Sequence, residues 1–140
     1  MKKSKLEIEY SYDFELVGLI SAAKGYKLAW EINNKLGLRL IKQPDLVFHL
    51  KKKPTVSYGY YLHQSAVNTV RLLRNRPNEA EASKSFLVPE HPHLDYIIMV
   101  QGEDHLKGNR LQELLRDIAS IELVAFLPLD ALKSKDNFIF

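Results

Sequence analysis

The sequence contains no cysteine, and this absence excludes several kinds of site at once. Without thiols the chain forms no disulfide, no zinc–thiolate site, no iron–sulfur cluster and no thiol nucleophile. Glycine and proline are scarce, with 6 of each in 140 residues, which excludes collagen-like and linker-like chains. No apolar run approaches the roughly 18 residues that a membrane-spanning helix needs. We therefore expect a protein with no membrane contact.

Two common catalytic signatures are also missing. The glycines are scattered at positions 18, 25, 37, 59, 102 and 108 and form no phosphate-binding loop, and no Gly-x-Ser-x-Gly elbow occurs. The first residues have a basic head, but no uncharged apolar stretch follows it, so we expect no signal peptide. These features predict a cytoplasmic protein with no cofactor and no enzymatic activity.

What the sequence does contain is typical of one folded domain. Apolar residues make up 46% and charged residues 26%, and 140 residues are enough to bury a substantial core. Neither an internal repeat nor a linker-like stretch divides the chain. We therefore expect a single domain over residues 1–140.

The net charge of +3 is distributed unevenly along the chain. Residues 1–76 hold 14 basic and 6 acidic residues, whereas residues 77–140 hold 6 and 11. The basic residues are densest in residues 39–76, where tyrosines are interspersed among them. Basic and aromatic side chains occur together in this way on many nucleic-acid-binding surfaces. The alternatives are a solvated sheet face whose lysines prevent edge pairing, or opposed charges that meet across a homodimer. The residues that would form a nucleic-acid or partner surface are Lys51, Lys52, Lys53, Tyr58, Tyr60, Arg71 and Arg74.

Regular hydrophobic spacing predicts most of the secondary structure. Apolar residues with a period of two, or in a short continuous run, indicate strands, and apolar residues four apart indicate helices. The predicted strands are residues 5–10, 14–20, 46–50, 56–62, 70–72, 94–100 and 123–127. The predicted helices begin near residue 24 and at the capping residue Asn109, and Gly37 is expected to end the first one in a left-handed conformation.

This order of elements predicts an α+β fold. The expected architecture is a two-layer α/β sandwich with a ferredoxin-like arrangement of two β-α-β-type units, an inserted β-hairpin and two main helices. Both helices should pack on one face of the sheet, and the other face should be exposed to solvent or covered by a partner. Tyr26, Trp30 and Phe48 are expected in the core or at its edge. For Trp30, which lies off the centre of the apolar stripe, partial exposure is the alternative.

Residues 90–95 carry the strongest candidates for metal binding or acid–base chemistry. His91 and His93 flank one residue, and in an extended chain they would point to the same side. Other potential ligands nearby in the sequence are Glu90, Asp95, Asp104 and His105. Because proline-rich loops often carry surface histidines and no third ligand has a fixed spacing, we predict no metal site. Glu90 and Asp95 could be paired catalytic carboxylates, but we expect them to accept backbone N–H bonds that tie the loop to the strand.

Residues 88–96 read Val-Pro-Glu-His-Pro-His-Leu-Asp-Tyr, a run similar to the signature that names the bacterial IPExxxVDY family. Four residues match the signature, and Val88 and Leu94 replace its isoleucine and valine with other apolar residues. The resemblance extends to residues 13–19, 26–33 and 132–137. The family is named for its motif and not for an activity, so the resemblance implies no catalytic or binding residue. The four matching residues, which we expect to have structural roles, are Pro89, Glu90, Asp95 and Tyr96.

Two functions follow from these features as hypotheses. The first is a small non-enzymatic binding or regulatory module that acts through protein–protein contacts with an unknown partner or with itself as a homodimer. The alternative is an RNA- or DNA-binding module that uses residues 39–76. The alternative requires the basic residues and the tyrosines to share one exposed face.

Overall fold

A computed structural model describes residues 13–49, 55–79, 85–102 and 109–140 of the chain. The described residues form eight strands, two α-helices and two short 3-10 helices. The strands are β1 (Phe14–Ser21), β2 (Ile41–Lys42), β3 (Leu46–Phe48), β4 (Val56–Tyr58), β5 (Tyr60–Gln64), β6 (Asn68–Arg74), β7 (Tyr96–Gly102) and β8 (Ile121–Leu127). The helices are α1 (Gly25–Leu36), α2 (Asn109–Arg116) and the 3-10 helices Leu129–Ala131 and Lys133–Phe138.

Six strands form one antiparallel sheet in the order β2-β5-β6-β7-β1-β8, and β3 pairs with β4 in a separate hairpin. The strand β1 lies between β7 and β8, so that Val17 is aligned with Ile98 on one side and Phe126 on the other. Both helices lie between strands of this sheet in the sequence. The α+β class is therefore confirmed.

The helix α1 follows the predicted spacing. Leu28, Ala29 and Ile32 lie on one side of the helix and are buried. Gly37 ends the helix with a left-handed φ of 70°, and its N–H donates to the carbonyl oxygen of Asn33 at 2.8 Å. At 12 residues α1 is the longer α-helix, and no helix in the described ranges is both long and apolar enough to cross a membrane.

Both helices pack on the same face of the sheet, as expected. Leu28 and Ile32 of α1 and Leu111 and Leu115 of α2 are buried in one cluster. The sheet residues of this cluster are Val17, Leu19, Val70, Leu72, Tyr96, Ile98, Val100 and Ile121. We call this side of the sheet the helix face.

The opposite face of the sheet is covered by the chain itself, so the expectation that it is exposed or covered by a partner is wrong. A second buried cluster joins this face to β4, to residues 85–94 and to the C-terminal 3-10 helix. Phe138 is buried there, and its ring centroid lies 6.4 Å from that of Phe14. Apart from β4, the covering segments have no apolar periodicity, so the sequence pattern did not assign them to a face.

Three further expectations about the elements need correction or qualification. The strand predicted at 56–62 is broken at Gly59, because β4 leaves the main sheet to pair with β3. Tyr26 and Trp30 are 67% and 63% exposed and do not belong to the core, since they lie off the buried stripe of α1. Phe48 is half-buried at the core edge, as expected. The strand predicted at residues 5–10 lies outside the described residues.

Candidate functional site

One buried side chain, Asn75, organises the segment that carries the sequence motif. Its amide nitrogen Nδ2 donates to the carbonyl oxygens of Leu94 and His91 at 2.9 and 3.0 Å. Its oxygen Oδ1 accepts the N–H of Val88 at 2.7 Å. Asn75 has no exposed surface, so these bonds form away from water. The residue therefore fixes the path of the chain from Val88 to Leu94.

Sequence reasoning missed Asn75. It follows the exposed Arg74 and stands two residues before Pro77, beyond the strand predicted at residues 70–72. Its three partners lie 13, 16 and 19 residues further along the chain. No local pattern marks such a residue, although a polar side chain placed directly after a buried strand is a weak signal.

Glu90 holds the C-terminal segment of the chain. Its carboxylate accepts the backbone N–H groups of Lys133 and Ser134 and the Ser134 hydroxyl, the last at 2.7 Å. Partial burial raises the pKa of Glu90, but the hydrogen bonds from Ser134 and Lys133 outweigh it and lower the pKa below its usual value. We expected Glu90 to tie its loop to the following strand, whereas its carboxylate fastens the last 3-10 helix to that loop.

The remaining motif residues connect the start of β7 to the end of β1. Asp95 accepts the N–H of Ser21 through Oδ2 at 2.9 Å. Tyr96 begins β7 with a buried ring, and its hydroxyl donates to the carbonyl oxygen of Ala23 at 2.7 Å. Pro89 and Glu90 are exposed, and they follow the buried Val88. Glu90 and Asp95 therefore accept hydrogen bonds from different parts of the backbone.

His91 and His93 lie beside each other, with ring centroids 5.7 Å apart. Within the described ranges, no group of three histidine, aspartate or glutamate side chains is placed to hold a metal ion. Asp104 and His105, which the sequence offered as further ligands, lie outside those ranges. The two histidines thus form a pair of rings at the surface of the motif loop.

The residues predicted to form a basic, tyrosine-bearing surface do not lie together. Lys51, Lys52 and Lys53 fall outside the described residues. Tyr58 is buried under residues 85–94, and its hydroxyl donates to the carbonyl oxygen of Ser85. Burial raises the pKa of Tyr58, with Glu79 adding to the effect, so this phenol is neutral at ordinary pH. Tyr58 therefore offers no ring to a base.

The other three residues of this set are divided between the two faces of the sheet. Arg71 donates from Nε to the Tyr60 hydroxyl at 2.9 Å, and both contact the ring of Phe140, with Arg71 4.3 Å from its centroid. Arg74 lies three positions further along β6, so it points to the opposite face, the helix face. Tyr60, Arg71 and Arg74 thus do not share one exposed face.

The strand β8 is an edge strand that carries exposed apolar side chains. In the described sheet only β1 pairs with it. Leu123 is 43% exposed and Phe126 is 42% exposed, and they point to opposite faces of the sheet. The strand β8 contains neither lysine nor proline, and its only charged residue is Glu122. The register with β1 shifts at Glu122, because Ile20 aligns with Leu123 and Ser21 with Ile121. The charge and the irregularity that usually protect an edge strand thus lie at the start of β8, and residues 123–127 carry neither.

Comparison with known proteins adds no assignment. Neither a scan against models of protein families nor a search of curated proteins finds a match to this chain. Membership of the IPExxxVDY family therefore stays a prediction, and the function is inferred from the contacts described above.

Proposed function

We propose that this chain is a small non-enzymatic binding module that acts through protein–protein contacts. Its first partner is a second copy of the chain, and the contact is antiparallel pairing of β8 with the β8 strand of that copy. The observation that carries this proposal is the seven-residue edge of β8 with its two exposed apolar side chains, Leu123 and Phe126.

A second copy fits this edge for two physical reasons. Antiparallel pairing of identical strands is related by a two-fold axis, so one surface serves as both halves of the contact. The outward N–H and C=O groups of each strand then find backbone partners, which is the general basis of binding by strand addition. The pairing also brings Leu123 and Phe126 against apolar atoms of the copy and removes part of their surface from water.

The alternative, RNA or DNA binding by residues 39–76, gains no support from a shared surface. Tyr58 is buried, and Arg71 and Arg74 lie on opposite faces of the sheet. The alternative therefore depends on Lys51, Lys52 and Lys53, which lie outside the described residues.

The proposal is tested by the mass of the wild-type chain and of two edge variants in light scattering coupled to size exclusion. The wild type should elute with twice the 16.2 kDa of one chain. Leu123→Lys and Phe126→Lys should each shift the mass toward that of one chain, because pairing would bury the new charge. Val67→Lys is the matched control: Val67 is 60% exposed in the turn between β5 and β6, and its substitution should leave the mass unchanged.

Two results contradict this proposal. The first is a wild-type chain that has the mass of a single chain at micromolar concentration. The second is a Val67→Lys variant that loses mass as fully as the edge variants do. Circular dichroism of each variant separates loss of the contact from loss of the fold.

We also propose that the core has the ferredoxin-like arrangement. The support is the order β8-β1-β7-β6 within the sheet, with α1 following β1, α2 following β7 and both helices on one face. β5 and β2 then extend this core at the β6 side. Nuclear Overhauser contacts from Val17 to both Ile98 and Phe126 are expected, and the absence of either contradicts this strand order.

A further inference from the structure

A cleft of about 400 Å³ opens at the end of the sheet where α1 begins. It lies on the helix face, and Leu72 contributes an apolar part of its wall. A volume of this size suits a small organic molecule. Its charged and aromatic lining residues are Lys42, Asp45, Tyr61, Arg74 and Tyr96, and Gly25 lines it at the start of α1.

Arg74 supplies the uncompensated charge of this cleft. It is the last residue of β6 and is exposed, and none of the carboxylates in the described ranges forms an ion pair with it. Lys42, by contrast, forms an ion pair with Asp45, with its Nζ 2.7 Å from Oδ1. The other carboxylate oxygen of Asp45 accepts a hydrogen bond from Asn78 Nδ2 at 3.0 Å. A guanidinium group binds phosphate and carboxylate through two parallel hydrogen bonds. The cleft is therefore suited to an anion.

Two tyrosines place hydroxyl groups and an aromatic ring beside Arg74. Burial raises the pKa of Tyr61, and burial also raises the pKa of Tyr96 although Arg74 acts in the opposite direction. Both phenols thus stay protonated at neutral pH. The Tyr96 hydroxyl donates to Ala23, whereas no residue of the described chain pairs with the Tyr61 hydroxyl, which is free to donate to a ligand.

The start of α1 adds to the positive field of the cleft. A Cβ atom at Gly25 would lie 3.1 Å from the Tyr61 hydroxyl, so the absence of a side chain lets the phenol approach the first helical turn. That turn contains no acidic residue, and Lys24 makes no side-chain capping bond. The positive end of the helix dipole is therefore not neutralised by a side chain at this point.

We propose that this cleft binds a small aromatic anion, with its phosphate or carboxylate group on the Arg74 guanidinium and its ring against Tyr61. Arg74 selects the charge, the Tyr61 hydroxyl adds a hydrogen bond, and Leu72 with the Tyr61 ring provides apolar contact. The site lies on the helix face near β5 and β6, so it does not depend on the pairing of β8.

The test uses phenyl phosphate and benzoate as probes, with inorganic phosphate and phenol as their separate parts, in isothermal titration of the full chain. At least one of the two aromatic anions should bind at one site per chain and more tightly than either of its separate parts. Arg74→Gln should weaken that binding at least tenfold, and Tyr61→Phe should weaken it a few-fold because the ring remains. Arg110→Gln is the matched control, since Arg110 is exposed on α2 and does not line the cleft.

The arms of the experiment also distinguish the two anion types, since phenyl phosphate and benzoate differ only in the charged group. The absence of binding by both at millimolar concentration overturns the proposal. Equal weakening by Arg74→Gln and Arg110→Gln also overturns it, because that result indicates a response to overall charge. Thermal unfolding of each variant shows whether the substitution leaves the fold intact.

Discussion

Replacing Asn75 by alanine should destabilise the chain more than most single substitutions. The substitution removes three hydrogen bonds and leaves the N–H of Val88 and the C=O of Leu94 without these partners. A buried polar group that loses its partner costs about 1–3 kcal/mol, so two such groups give a loss of roughly 2–6 kcal/mol. The carbonyl of His91 contributes less, because it also accepts the N–H of Leu94 at 3.2 Å. Folded domains are stable by only about 5–15 kcal/mol, so this loss is a large fraction of the total.

The assay is urea unfolding followed by circular dichroism, with linear extrapolation to water. Asn34→Ala provides a matched control, because Asn34 is exposed on α1 and its loss should change the free energy of unfolding by no more than about 0.5 kcal/mol. If Asn75→Ala costs less than about 1 kcal/mol, the groups that Asn75 binds are satisfied in another way. Asn75 would then not be the residue that fixes residues 88–94.

Three further outcomes follow from the same contacts, each measured by urea unfolding. Glu90→Gln should lower the free energy of unfolding at pH 7. Because the pKa of Glu90 is lowered in the folded chain, its contribution to the free energy of unfolding is present above the unfolded pKa of about 4.3 and is lost as the pH falls through the folded pKa. A difference in free energy of unfolding between wild type and Glu90→Gln that stays constant down to pH 3 contradicts this. Phe138→Ala should cost about 3–5 kcal/mol and Phe140→Ala much less, since Phe138 is buried and Phe140 is 51% exposed; equal costs contradict the packing of the C-terminal segment. Gly102→Ala should lower the free energy of unfolding more than Gly37→Ala does. Both glycines have positive φ, but only at Gly102 would a Cβ atom lie 2.2 Å from a backbone oxygen, that of Val67; the reverse order contradicts this close approach.

Local periodicity predicted the elements whose burial depends on their own spacing. The helix α1 was predicted because Leu28 and Ile32 are four residues apart and Gly37 follows the last turn. The strand β7 was predicted because its residues form a short continuous apolar run, and it lies between β6 and β1 with both sides buried. In both cases the signal lies within about a dozen residues of the chain.

The cover of the second sheet face could not be predicted in this way. Leu87 and Phe138 belong to segments without regular spacing, and they are buried only because distant parts of the chain meet there. Tyr58 illustrates the same limit, since its alternation within a strand predicted a sheet residue but not the segment that buries it.

The candidate sites depend on strand order, which no local pattern contains. The exposed edge follows from the position of β8 at the end of the sheet. The cleft follows from the meeting of Tyr61, Arg74 and Gly25, which come from β5, β6 and α1. The sequence supplied each of these residues, but only the folded chain brings them together.

Amide hydrogen exchange shows directly whether β8 is the contact surface between two copies of the chain. Exchange is measured for β8 and for the buried strand β7 at a low and at a high protein concentration. If two copies pair through β8, its outward-facing amides, which alternate along an edge strand, exchange more slowly at high concentration, whereas the amides of β7 are unchanged. Equal exchange of β8 at both concentrations, from a chain that remains folded, would contradict this pairing.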